Sequence, residues 1–279
     1  MIMINFYFNI KRTIILILLG FISLSFYGCD EFNPLDFNAF SVNDDKELGR
    51  QIDLQINSNQ QEYPLLYQQS AIDYVQNIVN QIIQSPMIEY RGVFVYQVKI
   101  IRKDNVVNAF ATPGGYVYVY TGLLKFLDNE ATLAGVLAHE VAHAERRHST
   151  KRMTKAYGVQ FLLDLLLGDN PDQFADIAAN LFAGLALLKN SRDEEYEADE
   201  YSFKYLQTSI WYPGALKYFF QKVSDNSSGS FLEELLSTHP LNENRIAVYE
   251  QLIANAQLPQ PTENNLFSQR YVQFKNTLP

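Results

Sequence analysis

The stretch "LAGVLAHEVAHAERRHS" (residues 133–149) decides how this chain is read. Leu133 to Ala138 is apolar apart from Gly135, so the segment belongs in a core. His139, Glu140 and His143 then follow inside it. Burying ionisable groups is costly unless something pairs with them. On a helix His139 and His143 lie one turn apart on one face, a spacing that lets two imidazoles reach one ion. Glu140 sits beside them, able to hold a proton from a zinc-bound water whose pKa the metal lowers to near 7. "HEVAH" thus supplies two zinc ligands and a general base in five residues. The competing reading, a helix with two satisfied histidines, is weakened because the chain has only 4 His. His148 lies nine residues after His139. If the helix continues, it points to the opposite side, which predicts a capping or surface role.

A catalytic zinc needs a third protein ligand and an open position. The candidates lie in "SRDEEYEADEYSF" (191–203). Composition alone reads that run as a solvated acidic face. Glu195 and Asp199 are four apart and able to face inward together, Glu195 as a ligand and Asp199 as acceptor for a ligand's free N–H. Spacing leaves the other acids in play, with Glu194 and Glu197 on faces expected to meet solvent.

Outward from the motif, the 279 residues are 47% apolar and carry a net charge of −9. That is a globular composition, and no Lys/Arg block marks a nucleic-acid surface. Lys11 and Arg12 precede the uncharged run "TIILILLGFISLSFYGC", which ends at Cys29, the only cysteine. This reads as a lipoprotein-type signal over 1–28, with Cys29 as the lipidated residue, although Phe26 and Tyr27 are bulky for such a box. Residues 29–44 read as a tether and 45–279 as a single domain anchored at a membrane of the cell envelope or periplasm. "DDKELGRQIDLQI" and "LYQQSAIDYVQNIVNQIIQ" show helical spacing, and "VFVYQVKII" and "GYVYVYTGL" the period of strands. One long helix is expected from Asn129 to Lys155, a second from Asp172 to Gln207, and a surface tail over the last twenty residues. The strongly apolar "FLLDLLLG" and "LFAGLALL" are expected to pack in the core.

"HEVAH" followed by "SRDEEYEAD" resembles zinc peptidase family M48, the gluzincin group of HtpX, BepA and the CaaX prenyl endopeptidase. "VNAFATPGGYVYVYTGLL" and "STHPLNENRI" look like this family too, so the likeness spans about residues 42 to 275. The resemblance implies an α+β, mainly α, zincin-like domain with a small β-sheet and an active-site helix. It also implies Glu195 as third ligand of one Zn²⁺ per chain and Asp199 as its helper. The activity implied is a zinc-dependent endopeptidase acting on misfolded or unassembled envelope proteins. The alternative is a membrane-tethered chaperone with a structural or latched zinc. His239 is a turn residue before Pro240, an oxyanion donor, or a fourth ligand. Arg245 braces that loop against an acid near Glu195, contacts substrate, or is a surface residue. The strand around Tyr118 offers an edge for an extended peptide, and Asn108 either bonds a substrate backbone or closes a turn.

Overall fold

The computed structural model describes residues 37–158, 180, 189–226, 229–240 and 243–279. Helix α1 (Val42–Ser58) starts at a capping box, with Ser41 Oγ accepting from Asp44 N and the Asp44 carboxylate from Ser41 N. It buries the expected stripe of Leu48, Ile52 and Ile56. Asn38 Nδ2 donates to Thr150 Oγ1 at 2.9 Å, and Phe40 is buried. Residues 38–44, read from sequence as tether, are therefore packed structure. The leader and Cys29 lie outside the described residues.

After α2 (Gln69–Ile82) come β1 (Val98–Ile101), β2 (Ala109–Ala111) and β3 (Val117–Tyr120). Only the second half of "VFVYQVKII" pairs as strand, because Tyr96 takes φ 44° and breaks the extended run. The sheet order is β1-β3-β2, with β3 parallel to β1 and antiparallel to β2. Strand β3 is central, so all four of its residues are buried. Val117 and Val119 join the main core, and Tyr118 and Tyr120 join a smaller core beneath α1. The "VYVY" alternation sets that division.

Helix α3 (Thr121–Phe126) leads into α4 (Glu130–Glu145), which carries the histidines and is buried throughout. Asn129 caps it, accepting from Thr132 N at 2.8 Å. The expected long helix breaks here: Arg147 is left-handed at φ 57°, and α5 (His148–Tyr157) starts afresh. The Arg147 side chain holds the turn through Asp45 and the Phe40 carbonyl. The second long helix does not run through either. Helix α6 (Arg192–Leu206) begins at its own capping box, Ser191 with Glu194. The "FLLDLLLG" and "LFAGLALL" runs fall outside the described residues.

Helices α7 (Leu216–Asp225), α8 (Glu233–Thr238) and α9 (Glu243–Asn255) follow. Gly135 admits α7 against α4, since a Cβ there would sit 3.0 Å from that of Leu216. The C-terminal segment is not a surface tail. It forms α10 (Glu263–Leu266) and α11 (Ser268–Lys275), with Tyr271 fully buried and Phe274 stacked on Tyr74 at 3.8 Å. The architecture is α+β and mainly α, as expected, with one three-stranded sheet among the described residues.

Candidate active site

Helices α4 and α6 pack along their length and bring the two sequence motifs together. His139 Nε2 and His143 Nε2 lie 3.0 Å apart. Glu195 reaches both, Oε2 at 3.6 Å from His139 and Oε1 at 3.3 Å from His143. His239, at the end of α8, places Nδ1 3.0 Å from Glu195 Oε1. One ligand atom from each of these four residues fits within 4.8 Å of all the others. The separations among His139, His143 and Glu195 straddle the roughly 3.3 Å edge that bonds of about 2.0–2.1 Å set in a tetrahedral zinc site. Two imidazoles and a carboxylate form a donor set common in catalytic zinc sites, so these residues fit the ion.

The surrounding groups hold this cluster from behind. His139 Nδ1 lies 3.0 Å from Asp199 Oδ1. Arg245 is buried and donates to both Asp199 oxygens, at 2.8 and 2.7 Å, and to Glu195 Oε2 at 2.6 Å. It is not a surface residue, and each of those nitrogens is engaged by a carboxylate. Burial raises the Glu195 carboxyl, but His239 and Arg245 outweigh it and hold the group well below the usual range. Burial, with the neighbouring His139 and His148 rings, pushes His143 well below an ordinary imidazole, against the opposing pull of Glu195.

Glu140 is not among the four grouped donors. It is 3% exposed, with Oε1 3.7 Å from His239 Nε2. Burial raises its carboxyl above the ordinary value, with His239 and His139 opposing. That moves it towards the range suited to exchanging a proton near neutrality. Beside it lies a partly open recess lined by Val136, Leu216, Phe219, Phe220, Val223 and Leu235.

Several expectations need correction. Tyr118 faces α1, is fully buried and donates to Asp53 Oδ1 at 2.6 Å, so it is not at the site. Strand β3 has β1 and β2 on its two sides and offers no edge. The edge strand on the site's side is β2, whose Ala109 lines the recess. Asn108 donates to Glu234 Oε1 at 3.1 Å and accepts from Ala109 N at 2.9 Å, tying the sheet to α8 rather than meeting a substrate. His148 is neither exposed nor turned away: it is 1% exposed, with Nδ1 2.7 Å from His143 Nδ1. The helical phase that placed it opposite His139 fails at Arg147. Glu194 is a buried cap, and Glu197 accepts from Arg146 Nε at 2.6 Å and pairs with His148 Nε2 at 3.0 Å.

One residue at the cluster was not anticipated. Asn190 Nδ2 lies 2.5 Å from Glu195 Oε1, 3.1 Å from His239 Nδ1 and 3.4 Å from His143 Nε2. Its backbone N–H donates to the Thr238 carbonyl at 3.0 Å, fixing the end of α8. The Ser191-x-x-Glu194 box was the available signal, since it ends the preceding segment at Asn190 and frees that side chain to turn inward.

Fold and cluster together are those of a metallopeptidase. The chain belongs to peptidase family M48, whose family model matches residues 70–253. It is 30% identical over 212 residues to a beta-barrel assembly-enhancing protease of Yersinia pestis, covering 72% of this chain and 43% of that one. A mitochondrial metalloendopeptidase OMA1 from Schizosaccharomyces pombe is 30% identical over 237 residues, 83% of this chain and 68% of its own. The Escherichia coli (strain K12) beta-barrel assembly-enhancing protease is 35% identical over 159 residues, covering 53% and 32%. This chain therefore spans less than half of the two bacterial relatives.

Proposed function

We propose that this chain is a zinc-dependent endopeptidase of the bacterial cell envelope that hydrolyses misfolded or unassembled proteins. The observation that carries the reading is the pairing of a four-residue donor cluster with a separate, buried Glu140 that faces the same recess. A purely structural metal site has no use for that carboxylate. His139, His143 and Glu195 are the proposed ligands, and Asp199 orients His139 from behind. Zinc, when bound, supplies Lewis acidity toward the scissile carbonyl and its attacking water.

The chain's own groups do the rest. Glu140 takes a proton from the attacking water and returns it to the leaving amide nitrogen. His239 Nε2, on the Glu140 side, is placed to donate to the carbonyl oxygen as charge develops there. An extended peptide pairing with the edge of β2 would lay its backbone beside α4 and one apolar side chain in the recess. Such recognition favours unfolded chains over particular sequences.

Export rests on the leader over 1–28 and lipidation on Cys29, with the catalytic domain beginning at about residue 38, where packing starts. No helix among the described residues is long and apolar enough to cross a membrane. A second reading, a tethered chaperone with a latched zinc, draws on the closeness of His239 to Glu195. Digestion of an unfolded protein such as reduced casein separates the two. We expect cleavage that chelation abolishes and stoichiometric Zn²⁺ restores. Zinc uptake without cleavage would favour the chaperone.

A further inference from the structure

His148 has a place in the structure that a capping role does not explain. Its imidazole is buried, and both of its nitrogens are engaged. Nδ1 lies 2.7 Å from His143 Nδ1, and Nε2 lies 3.0 Å from Glu197 Oε2. Two facing ring nitrogens at that distance must share one proton, one as donor and the other as acceptor. The side of His143 that faces the cluster decides which is which. His143 Nε2 turns toward His139 and Glu195, so as a ligand it must be unprotonated. A neutral His143 then carries its proton on Nδ1 and donates it to His148 Nδ1. With Nδ1 accepting, a neutral His148 is protonated on Nε2, which donates to Glu197. The other Glu197 oxygen accepts from Arg146 Nε at 2.6 Å, and that guanidinium is held by Glu89 at 3.1 Å and by the Tyr201 ring, 4.6 Å from its centroid. Each donor and acceptor along the line has one assignment.

We infer that His148 is a positioning residue for the proposed metal centre, relaying Glu197 to His143 and fixing that ligand's tautomer and ring orientation. The inference rests on the metal reading above. The two ligating imidazoles would then be oriented by different means. His139 has a carboxylate, Asp199, directly behind it. His143 has a second imidazole, with the carboxylate one step further back. The break at Arg147 makes this possible, because a continuous helix would carry His148 to the far side of α4.

The test is the affinity for Zn²⁺ by chelator competition, together with the thermal midpoint of the metal-free protein. Outer partners of metal-bound histidines contribute about 10- to 100-fold to affinity. His148→Phe, which keeps a buried ring but removes both nitrogens, should weaken zinc binding by about that factor. His148→Asn puts an amide oxygen where Nδ1 was and should recover most of the loss, although it cannot reach Glu197. A merely structural role would lower the metal-free midpoint of both variants without separating their affinities, and that result would overturn the inference. So would wild-type affinity in His148→Phe. If the variants do not fold, long-range ¹⁵N–¹H spectra of the zinc-loaded wild-type protein still decide. We expect His143 protonated at Nδ1 and His148 at Nε2, and a proton on His148 Nδ1 would refute the relay. A wild-type chain that takes up no Zn²⁺ would instead bring down the metal reading itself, and this inference with it.

Discussion

Arg245 holds two carboxylates that would otherwise repel each other in the interior. Glu195 and Asp199 are 1% and 0% exposed, and the same guanidinium donates to both. Removing one partner of a buried ionic network typically costs about 3–5 kcal/mol, because the remaining charges stay buried without compensation. We therefore expect Arg245→Met to lower metal-free stability by that order in urea denaturation. A loss below about 1 kcal/mol would mean that the network relaxes into solvent. The contact was only partly legible in the sequence. "HEVAH" needs nothing but helical spacing to be read, whereas spacing allows Glu195 with Asp199 without excluding the other acids, and the family resemblance singles them out. Arg245 lies fifty residues beyond Glu195, and no local period connects them. Tyr118 failed for a related reason: alternation says that a strand has two faces, not which face meets the site.

At the scale of elements, the errors fall where a turn interrupts a helical pattern. From Asn129 to Lys155 the residues read as one helix because no Gly or Pro marks the break. The turn uses a left-handed Arg147 held by Asp45, a contact across 102 residues. The C-terminal segment was misread because short helices bounded by prolines look like tail. Its packing is tertiary: Arg270 pairs with the buried Glu130 in the first turn of α4, and Trp211 Nε1 donates to the same carboxylate at 2.8 Å. Phe274→Ala should therefore destabilise the protein by about 3–5 kcal/mol, the usual cost of emptying a buried aromatic site. A loss near zero in urea denaturation would return α11 to the surface.

The loop between β1 and β2 gives a pH test at the same scale. Asp104 accepts from Lys125 Nζ at 2.7 Å and Thr121 Oγ1 at 2.6 Å, and these bonds hold its carboxyl below the ordinary value. A folded-state value below the unfolded one adds stability above the unfolded value of 3.8, and that contribution fades as pH falls through the folded value. For so exposed a pair the contribution is at most about 1 kcal/mol. Asp104→Asn should thus be slightly less stable than wild type at pH 7 and equal to it near pH 2. An equal deficit at both pH values would assign the effect to packing instead.

For the whole molecule, the mainly helical α+β class was legible because apolar period and length distinguish most of its helices from its strands. What places the catalytic groups was less so, since the site is assembled from α4, α6, α8 and α9 by contacts far apart in the chain. If these elements share one ion, zinc should stabilise the whole fold by mass action, about 4 kcal/mol at a thousandfold excess over Kd. A thermal midpoint unmoved by Zn²⁺ would deny that linkage. The central claim is that Glu140 carries out proton transfer beside a metal it does not hold, and one paired measurement on Glu140→Gln addresses it. Zinc content by elemental analysis and the rate of casein digestion are compared with wild type. We expect the variant to keep one Zn²⁺ per chain while losing proteolysis by at least about a hundredfold. Wild-type proteolysis in a zinc-replete Glu140→Gln protein would contradict the claim.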